Sequence, residues 1–305
     1  MSNAEGRPSD RIWSRLPTSS RDLLCRELSP TDLQSLLLDV ARERAEAVTP
    51  ARLAQRWQAN RFVRPAGTDP RRLTALEARL WQLLPDEFDG LELSPVAPLG
   101  TCMALGAAHQ NRVVSTMRSS EVVSDATNVL ALEAAARRRA GAPVVHLAAC
   151  HRQLRAQQFD AGAPSHFKLF TLVSSARDRG AAQTEADLLI AHMRYWRDVL
   201  VTVLTDAASQ ITYSVFDNPA LTERLADSVL PGVTGEPGSA PALVADHART
   251  RARGYYTEGA LLITAGTAEL GDGGFTDWTA QLLADRKERC LISCLSTEGL
   301  LAFSE

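Results

Sequence analysis

The segment VVHLAACHRQLRAQQFDAGAPSHFKLFTLV, residues 144–173, carries residue types that suit recognition of a phosphate and a flat ring. Two runs of alternating apolar residues flank a break rich in Gly, Pro and Ser, which predicts a β-hairpin. The first arm ends in Arg152 and Arg155, and the second carries Phe167 and Phe170. A guanidinium can bind two phosphate oxygens, and an aromatic face can stack on a base. The alternative is a charged surface hairpin that covers a core.

Composition narrows the class of protein that could carry such a hairpin. The chain has 305 residues, of which 45% are hydrophobic and 23% charged, with a formal net charge of −3. This is enough apolar material for one large core or two smaller ones, and it excludes a disordered chain. The mildly acidic balance argues against a general nucleic-acid binder.

The cysteines and the hydropathy pattern predict a cytoplasmic protein without a membrane span. Five cysteines is an odd number, and they are scattered through apolar stretches, which indicates free buried thiols. Cys290 and Cys294 have the wrong spacing for a zinc knuckle, so no structural metal is expected. No run approaches the twenty apolar residues of a transmembrane helix, and the N-terminus lacks the apolar stretch of a signal peptide.

Two regions follow from the helical and strand patterns. Residues 1–68 form a helical N-terminal region, with start signals at Ser29 and at Thr49, which is followed by proline. Residues 69–305 form a mixed domain that opens with a helix of about Asp69–Leu84. Its strands are joined by hairpins, and a long helix near Gln183–Ser209 lies between them. The predicted class is α+β, a mostly antiparallel sheet flanked by helices.

Three separated segments line up with one family. FDGLELSPVAP resembles motif 1 of class II aminoacyl-tRNA synthetases, and the hairpin at 144–173 resembles motif 2. RARGYYTEGALLITA, followed by GDGGFTDW, is similar to the histidyl-tRNA synthetase pattern. The resemblance covers about residues 70–303. It is nearest to the branch that contains histidyl-tRNA synthetase and the regulatory subunit of ATP phosphoribosyltransferase, with degenerate motifs.

The resemblance implies a nucleotide site on the hairpin. Arg152 falls where the motif 2 arginine binds the ATP α-phosphate, Arg155 follows it, and Phe170 falls where an aromatic ring stacks on adenine. Arg251 matches a second arginine near the α-phosphate, so the resemblance gives Arg152 and Arg251 catalytic roles. The cofactor implied is ATP with Mg²⁺. A solvated arginine and a core phenylalanine are the alternatives for Arg152 and Phe170.

The resemblance also implies an amino-acid site. Asp125 and Thr127 match an acid-x-threonine pair that holds the amino group, although either side chain could simply cap the helix that follows. Tyr255 and Tyr256 match pocket tyrosines, and their hydroxyl groups suit a small ligand. Two further residues, Gly273 and Gly274, fall in a turn that lets the backbone approach the amino acid. We expect Arg152, Arg251 and the two tyrosines to converge on one pocket.

Several positions depart from the family pattern. Leu154 replaces the motif 2 glutamate, and Leu172 replaces a glutamine on the second strand. Gly299 stands where motif 3 has an arginine that clamps the γ-phosphate, with Ser296 at an expected glycine. The match also ends near Glu305, which predicts that no anticodon-binding domain follows.

These departures leave two functions open. One is a non-catalytic paralogue that binds an amino acid or adenine nucleotide and regulates a protein partner. The other is an enzyme that activates an amino acid or small acid with ATP for an acceptor other than tRNA. Charging of tRNA is not expected. A homodimer is expected around the strand Leu91–Pro95, because the apolar face of TALEARLWQLL needs a partner.

Overall fold

The computed structural model describes residues 8–106, 109–157, 165–204, 208–234 and 241–304. The chain divides into two units, one of residues 1–60 with 115–120 and one of residues 61–114 with 121–305. Within the described residues, no helix combines the length and apolar character needed to cross a bilayer.

The smaller unit consists of helices. Their bounds are α1 (Pro8–Trp13), α2 (Ser20–Asp22), a π-helical turn (Leu23–Glu27), α3 (Pro30–Glu46) and α4 (Pro50–Ala59). Ser29 caps α3, since its hydroxyl accepts the N–H of Asp32 at 3.1 Å. Thr49 caps α4 in the same way through Arg52, and a proline fills the first position of each helix. Both start signals predicted from the sequence are therefore confirmed.

The larger unit contains the sheet and the remaining helices. Its helices are α5 (Pro70–Leu83), α6 (Thr101–Ala104), α7 (Ala126–Arg139), α8 (Gln183–Val203), α9 (Pro219–Arg224), α10 (Leu230–Val233), α11 (Trp278–Leu283) and α12 (Thr297–Leu301), with short 3₁₀ and π-helical turns at Gln110–Arg112 and Leu225–Val229. Its strands are β1 (Asp89–Gly90), β2 (Val96–Pro98), β3 (Ser120–Val122), β4 (Val144–Leu154), β5 (His166–Arg177), β6 (Ser209–Val215), β7 (Ala242–Ala245), β8 (Gly259–Ala265), β9 (Ala268–Thr276) and β10 (Glu288–Ser296).

Eight strands form one sheet in the order β1-β4-β5-β10-β9-β8-β6-β7, and β2 pairs with β3 separately. The central pairs are antiparallel, and the two edge pairs, β1–β4 and β6–β7, are parallel. The hairpin β4–β5 is the one predicted at 144–173. The mostly antiparallel α+β architecture expected from the sequence is confirmed. The end of α8 differs from the predicted one. The helix ends at Val203, and Ser209, which was expected to end it, is the first residue of β6.

The two faces of the sheet differ in what covers them. On β10, Leu291 and Leu295 belong to the large core under α8, which also contains the fully buried Tyr195 and Trp196. Ile292, between the two leucines, belongs to the second core cluster, which α7 covers. We call these the α8 face and the α7 face. Alternation along each strand assigns successive side chains to opposite faces.

The apolar side of α5 finds its partner inside the chain. Leu76 and Leu80 are buried in the α8-face core, and the ring of Trp81 meets that of Phe170 at 4.7 Å. The apolar side of α5 therefore does not require a second copy of the chain, because its own unit covers it. The strand expected at Leu91–Pro95 is also not where the sequence put it. The strand in this segment is β1, which has two residues and ends at Gly90.

A cluster of charges closes one end of the sheet. Arg289 on β10 lies 2.6 Å from Glu185 and 2.8 Å from Asp178, and its Nε is 3.6 Å from Glu258. Glu185 is only 2% exposed. Burial, and then the neighbouring Glu185, raise the pKa of Glu258. Arg289 is therefore the cation that makes burial of this carboxylate cluster tolerable.

We predict that Arg289→Met lowers the free energy of unfolding by roughly 3 kcal/mol, because it leaves Glu185 buried without its cation. Arg139→Met is the matched control, since Arg139 is exposed and donates to the Leu282 carbonyl. It should cost less than about 0.5 kcal/mol, as expected for a surface site. Urea denaturation of both variants measures the difference, and equal losses would refute the role given to Arg289.

Candidate functional site

The start of α7 brings Asp125 and Thr127 to the α7 face. Asp125 is the N-cap of this helix, and its Oδ1 accepts the N–H of Thr127 at 3.0 Å and the Thr127 hydroxyl at 2.6 Å. The capping role that the sequence allowed is thus present. The second carboxylate oxygen, Oδ2, lies 3.6 Å from Nη2 of Arg155. One carboxylate therefore caps a helix and still faces the arginine of the hairpin.

Arg155 is held on three sides. Its Nε donates to the Ser124 carbonyl at 3.0 Å, and its guanidinium lies 5.1 Å from the centre of the Phe167 ring. Together with Asp125, these contacts fix the guanidinium plane beside the α7 N-terminus. Phe167 therefore acts in the hairpin as a platform for an arginine.

Tyr255 and Tyr256 stand next to a buried carboxyl group on β9. Their ring centres are 4.9 Å apart, and Tyr256 is only 3% exposed. The Tyr256 hydroxyl is hydrogen-bonded to Asp272, and the Cys294 thiol lies 3.6 Å from the Asp272 carboxyl. Burial, and then Asp125, raise the pKa of Asp272. Burial likewise raises the pKa of Cys294 well above its ordinary value, so this thiol is protonated at neutral pH.

Gly273 and Gly274 lie in β9, paired on both sides, and not in the turn that the sequence suggested. The reason for glycine at 274 is packing. A Cβ there would lie 2.5 Å from the Tyr256 ring and 2.5 Å from the Gly259 carbonyl oxygen. Gly274 thus allows Tyr256 to lie flat against the strand. A Cβ at Gly273 would meet the backbone of β10.

Two adjoining cavities open between these groups, each of about 180 Å³. We call the first the Asp272 cavity; it is lined by Asp125, Thr127, Arg155, Tyr255, Tyr256, Asp272, Ile292, Ser293 and Cys294. We call the second the Asn128 cavity; it is lined by Cys102, Gly106, Arg112, Ser124, Asp125, Asn128, Arg155, Gln157 and Tyr255. Three residues, Asp125, Arg155 and Tyr255, line both. They make the two cavities one site with two compartments.

Asn128 contributes a polar group that has no partner in the described part of the chain. The residue is 1% exposed, and neither the oxygen nor the nitrogen of its amide forms a hydrogen bond there. A buried amide without partners costs about 1–3 kcal/mol. Such a group beside a cavity is typical of a site that completes its hydrogen bonds with a ligand. Neither Asn128 nor Asp272 was singled out from the sequence.

Arg152 and Arg251 do not line either cavity. Arg152 lies four residues after Ala148 on β4, so strand alternation puts its side chain on the α8 face. There it donates to Glu298 at 2.9 Å. Arg251 is exposed, and its Nη1 lies 2.6 and 2.7 Å from the two oxygens of Glu269. Of the four side chains expected to converge, the two tyrosines line the described cavities. Arginines that do line the described cavities are Arg155, which borders both, and Arg112, which borders the Asn128 cavity.

Phe170 is fully buried in the α8-face core. Its ring contacts those of Trp81, Tyr195 and Trp196 with centres 4.7–6.2 Å apart. It therefore packs as a core residue and presents no ring face to either cavity. Gly299 lies in the short helix α12, which Ser296 caps by accepting the Gly299 N–H at 3.0 Å.

Solved structures of known proteins share this fold. They include an ATP phosphoribosyltransferase regulatory subunit/histidyl-tRNA synthetase from Bacillus halodurans C, at 13% identity and a TM-score of 0.57, with 79% of this chain and 83% of that chain covered. A histidine–tRNA ligase subunit from Alicyclobacillus acidocaldarius matches at 12% identity and a TM-score of 0.57, with 79% and 96% covered. The apo histidyl-tRNA synthetase of S. aureus matches at 17% identity and a TM-score of 0.55, with 79% and 69% covered.

These matches define the protein as one with a class II aminoacyl-tRNA synthetase-like fold. Within that class, its architecture is that of histidyl-tRNA synthetase and the ATP phosphoribosyltransferase regulatory subunit. At such identities the likeness concerns the fold alone. No protein-family model matches the sequence, and no curated protein matches it either.

We predict that Gly274→Ala destabilises the protein by roughly 1–3 kcal/mol, because the added methyl group overlaps the Tyr256 ring. Gly67→Ala is the control, since a Cβ at Gly67 meets nothing within 4 Å. That change should be neutral or stabilise by about 0.5 kcal/mol. Thermal unfolding distinguishes the two, and a neutral Gly274→Ala would contradict the packing described for Tyr256.

A second prediction concerns Asp272 and pH. An acid whose pKa is higher in the folded protein binds more protons when folded, so stability falls as pH rises from the unfolded pKa through the folded one. Asp272→Asn keeps the shape of the side chain but cannot ionise, so it removes this loss of stability. It should raise the free energy of unfolding at neutral pH by about 0.5–2 kcal/mol, the usual gain from a single stabilising substitution. Below about pH 4, where the unfolded-state Asp is also protonated, the gain should vanish.

Urea denaturation at the two pH values measures this effect. Asp277→Asn serves as control, because Asp277 forms no side-chain cap and lines neither cavity. An equal gain for Asp272→Asn at both pH values would show that burial of charge is not the cause.

Proposed function

We propose that this protein binds a small amino acid in the joined Asp272 and Asn128 cavities, as a synthetase-like paralogue that does not charge tRNA. The observation that carries the proposal is the pair of carboxyl groups, Asp125 and Asp272, which face one compartment beside Arg155. Carboxylates bind an ammonium group, and a guanidinium binds a carboxylate. Both ends of an amino acid thus have a partner of opposite charge.

The raised pKa of Asp272 agrees with an ammonium ligand. Asp125 is one of the causes of that raised pKa, so a positive charge placed between the two carboxyl groups would favour the ionised form of both. The ammonium group of a ligand would therefore add a second positive charge, besides Arg155, to this pair of carboxyl groups. The amide of Asn128 remains for the side chain or carboxylate of the ligand.

Adenine nucleotide binding, expected from the resemblance, has weaker support. The residues do not fit an ATP site as they stand: Phe170 is enclosed by three aromatic rings, and both Arg152 and Arg251 are paired with glutamates. Neither compartment alone, at about 180 Å³, reaches the usual 300–1,000 Å³ of a ligand site, so a nucleotide would have to extend through both. An amino acid needs far less room than a nucleotide.

One observation favours the alternative, an enzyme that activates a small acid with ATP. Arg112 and Arg155 both line the Asn128 cavity, and two guanidinium groups suit a phosphate. Mg²⁺ would accompany the nucleotide in that case. A regulatory role would instead call for a protein partner, in keeping with the regulatory subunit named among the similar structures. A homodimer also remains a proposal, supported by the open groove of about 450 Å³ beside Leu91 and Leu93.

We predict that a thermal-shift screen of the amino acids finds one that raises the melting temperature, since a ligand selective for the folded state stabilises it. Asp272→Asn should weaken that ligand at least about tenfold by calorimetry, because a hydrogen bond to a charged group contributes about 1.5–3 kcal/mol. Asp277→Asn should bind as the unchanged protein does. If Asp272→Asn left the affinity unchanged, the ligand would have to bind outside this site.

We further predict that neither pyrophosphate exchange nor aminoacylation of bulk tRNA rises above background with that amino acid. Gly299→Arg alone should not create either activity, since Leu154 and Leu172 would still replace polar contacts of the family pattern. Amino-acid-dependent exchange by the unchanged protein would favour the ATP-dependent enzyme. Charged tRNA would overturn the proposal.

A further inference from the structure

A larger cavity lies on the other side of the sheet, away from the candidate site. It has a volume of about 660 Å³, within the range of ligand sites, and lies between α8 and the hairpin β4–β5. Its apolar lining consists of Pro143, Val144, Ala176, Leu188, Ile190 and Ala191. The polar lining includes His146 and three arginines, Arg177, Arg179 and Arg194. We call it the His146 cavity.

His146 begins a chain of hydrogen bonds that runs into the core. Its Nδ1 lies 2.6 Å from the Ser174 hydroxyl, which lies 2.8 Å from Nε2 of His192. Nδ1 of His192 lies 2.8 Å from the Ser293 hydroxyl, which accepts the indole N–H of Trp196 at 2.7 Å. Five side chains from four elements, β4, β5, α8 and β10, are thus connected in series.

The indole at the inner end gives this chain a direction. Trp196 can only donate, so Ser293 accepts from it and uses its own proton toward His192. Burial lowers the pKa of His192 well below its ordinary value, so this ring is neutral and has one N–H. With Nδ1 accepting, that N–H is on Nε2 and is donated to Ser174. Ser174 then donates to Nδ1 of His146.

His146 is the cavity end of this chain of hydrogen bonds. Burial lowers the pKa of His146, against an opposing effect of Glu87, so His146 is also neutral at neutral pH. Since its Nδ1 accepts from Ser174, its proton is on Nε2. The reverse direction would leave the Ser293 proton without a partner in the described part of the chain. His146 therefore presents an N–H donor on the cavity side.

The charged groups around the cavity reinforce this donor character. Asp187 is occupied, because it pairs with Arg179 and accepts from Gln183 at 2.9 Å. Arg177 pairs with Asp285, which is not among the lining residues. Arg194 donates one N–H to the Gly232 carbonyl at 2.6 Å and forms no ion pair within the described residues. Each guanidinium has five N–H donors, so unused donors exceed the acceptors left on Glu87.

We propose that the His146 cavity is a second ligand site, which binds a small organic anion, a carboxylate or phosphate with an apolar body. Arg194 and the Nε2–H of His146 bind the anionic group, and the aliphatic lining of α8 and β4–β5 holds the body. The site is independent of the function proposed for the Asp272 and Asn128 cavities. Its chain of hydrogen bonds passes through Ser293, a residue that also borders the Asp272 cavity.

Calorimetry with three probes of equal tail length tests the ligand class: hexanoate, hexyl phosphate and hexylammonium. We expect at least one of the two anions to bind and hexylammonium not to bind. Preference for hexanoate or for hexyl phosphate assigns the group as carboxylate or phosphate. No binding of either anion, or equal binding of hexylammonium, would overturn the proposal.

Two variants locate the site. Arg194→Ala should weaken the bound anion at least about tenfold, as expected for loss of a charge-assisted hydrogen bond. Arg79→Ala is the matched control, because Arg79 is also a helical arginine that donates to a backbone carbonyl, that of Thr202, and lies outside the cavity. Equal affinity in both variants would place the anion elsewhere.

The direction of the chain has its own measurement, which does not depend on any ligand. Nitrogen NMR of the imidazoles at about pH 8, where neutral rings dominate, should find the proton of both His146 and His192 on Nε2. Ser174→Ala should remove that fixed tautomer at His146 and weaken anion binding, with the fold checked by thermal unfolding. A proton on Nδ1 of His146 in the unchanged protein would refute the donor role of this side chain.

Discussion

The pairing of strand β10 with a neighbour on each side fixes which residues face each side of the sheet. The strand is hydrogen-bonded to β5 on one side and to β9 on the other. Its successive side chains must therefore alternate between the two faces of the sheet. Ser293 therefore supports the helix α8 through His192 and Trp196, while the next residue, Cys294, faces Asp272. A shift of one residue in register would exchange the core and the cavity.

Buried polar groups are handled in two ways in the larger unit. The Asn128 amide lies beside the cavities with neither of its polar atoms hydrogen-bonded within the described residues, whereas one carboxylate oxygen of Glu185 pairs with Arg289. The first arrangement reduces stability and leaves groups for a ligand, and the second compensates a buried charge. Asn128, together with the carboxyl groups of Asp125 and Asp272 that line the adjoining cavities, marks the α7 face as the candidate site.

Three arginines to which the sequence pointed differ in what their carboxylate partners leave free. Arg152 pairs with Glu298, and Arg251 pairs with Glu269. A guanidinium held by a carboxylate has less charge to offer a phosphate. Of the three, Arg155 is the one that lines the cavities, and its carboxylate partner Asp125, 3.6 Å away, lines them too.

The α+β class, the antiparallel hairpin at 144–173 and the caps at Ser29 and Thr49 could be predicted from local signals, because alternation and capping residues act over a few neighbouring positions. The grouping of Asp125, Thr127 and the two tyrosines came from the family resemblance of short motifs. Contacts between distant segments were needed to show that Phe170 is enclosed by aromatic rings, that Gly273 and Gly274 lie within a strand, and that Asp272 and Asn128 join the site. Each of these depends on which distant residue lies opposite. The physical reason is that burial and ion pairing are properties of contacts between segments far apart in the chain, such as Arg152 with Glu298, which no local pattern records.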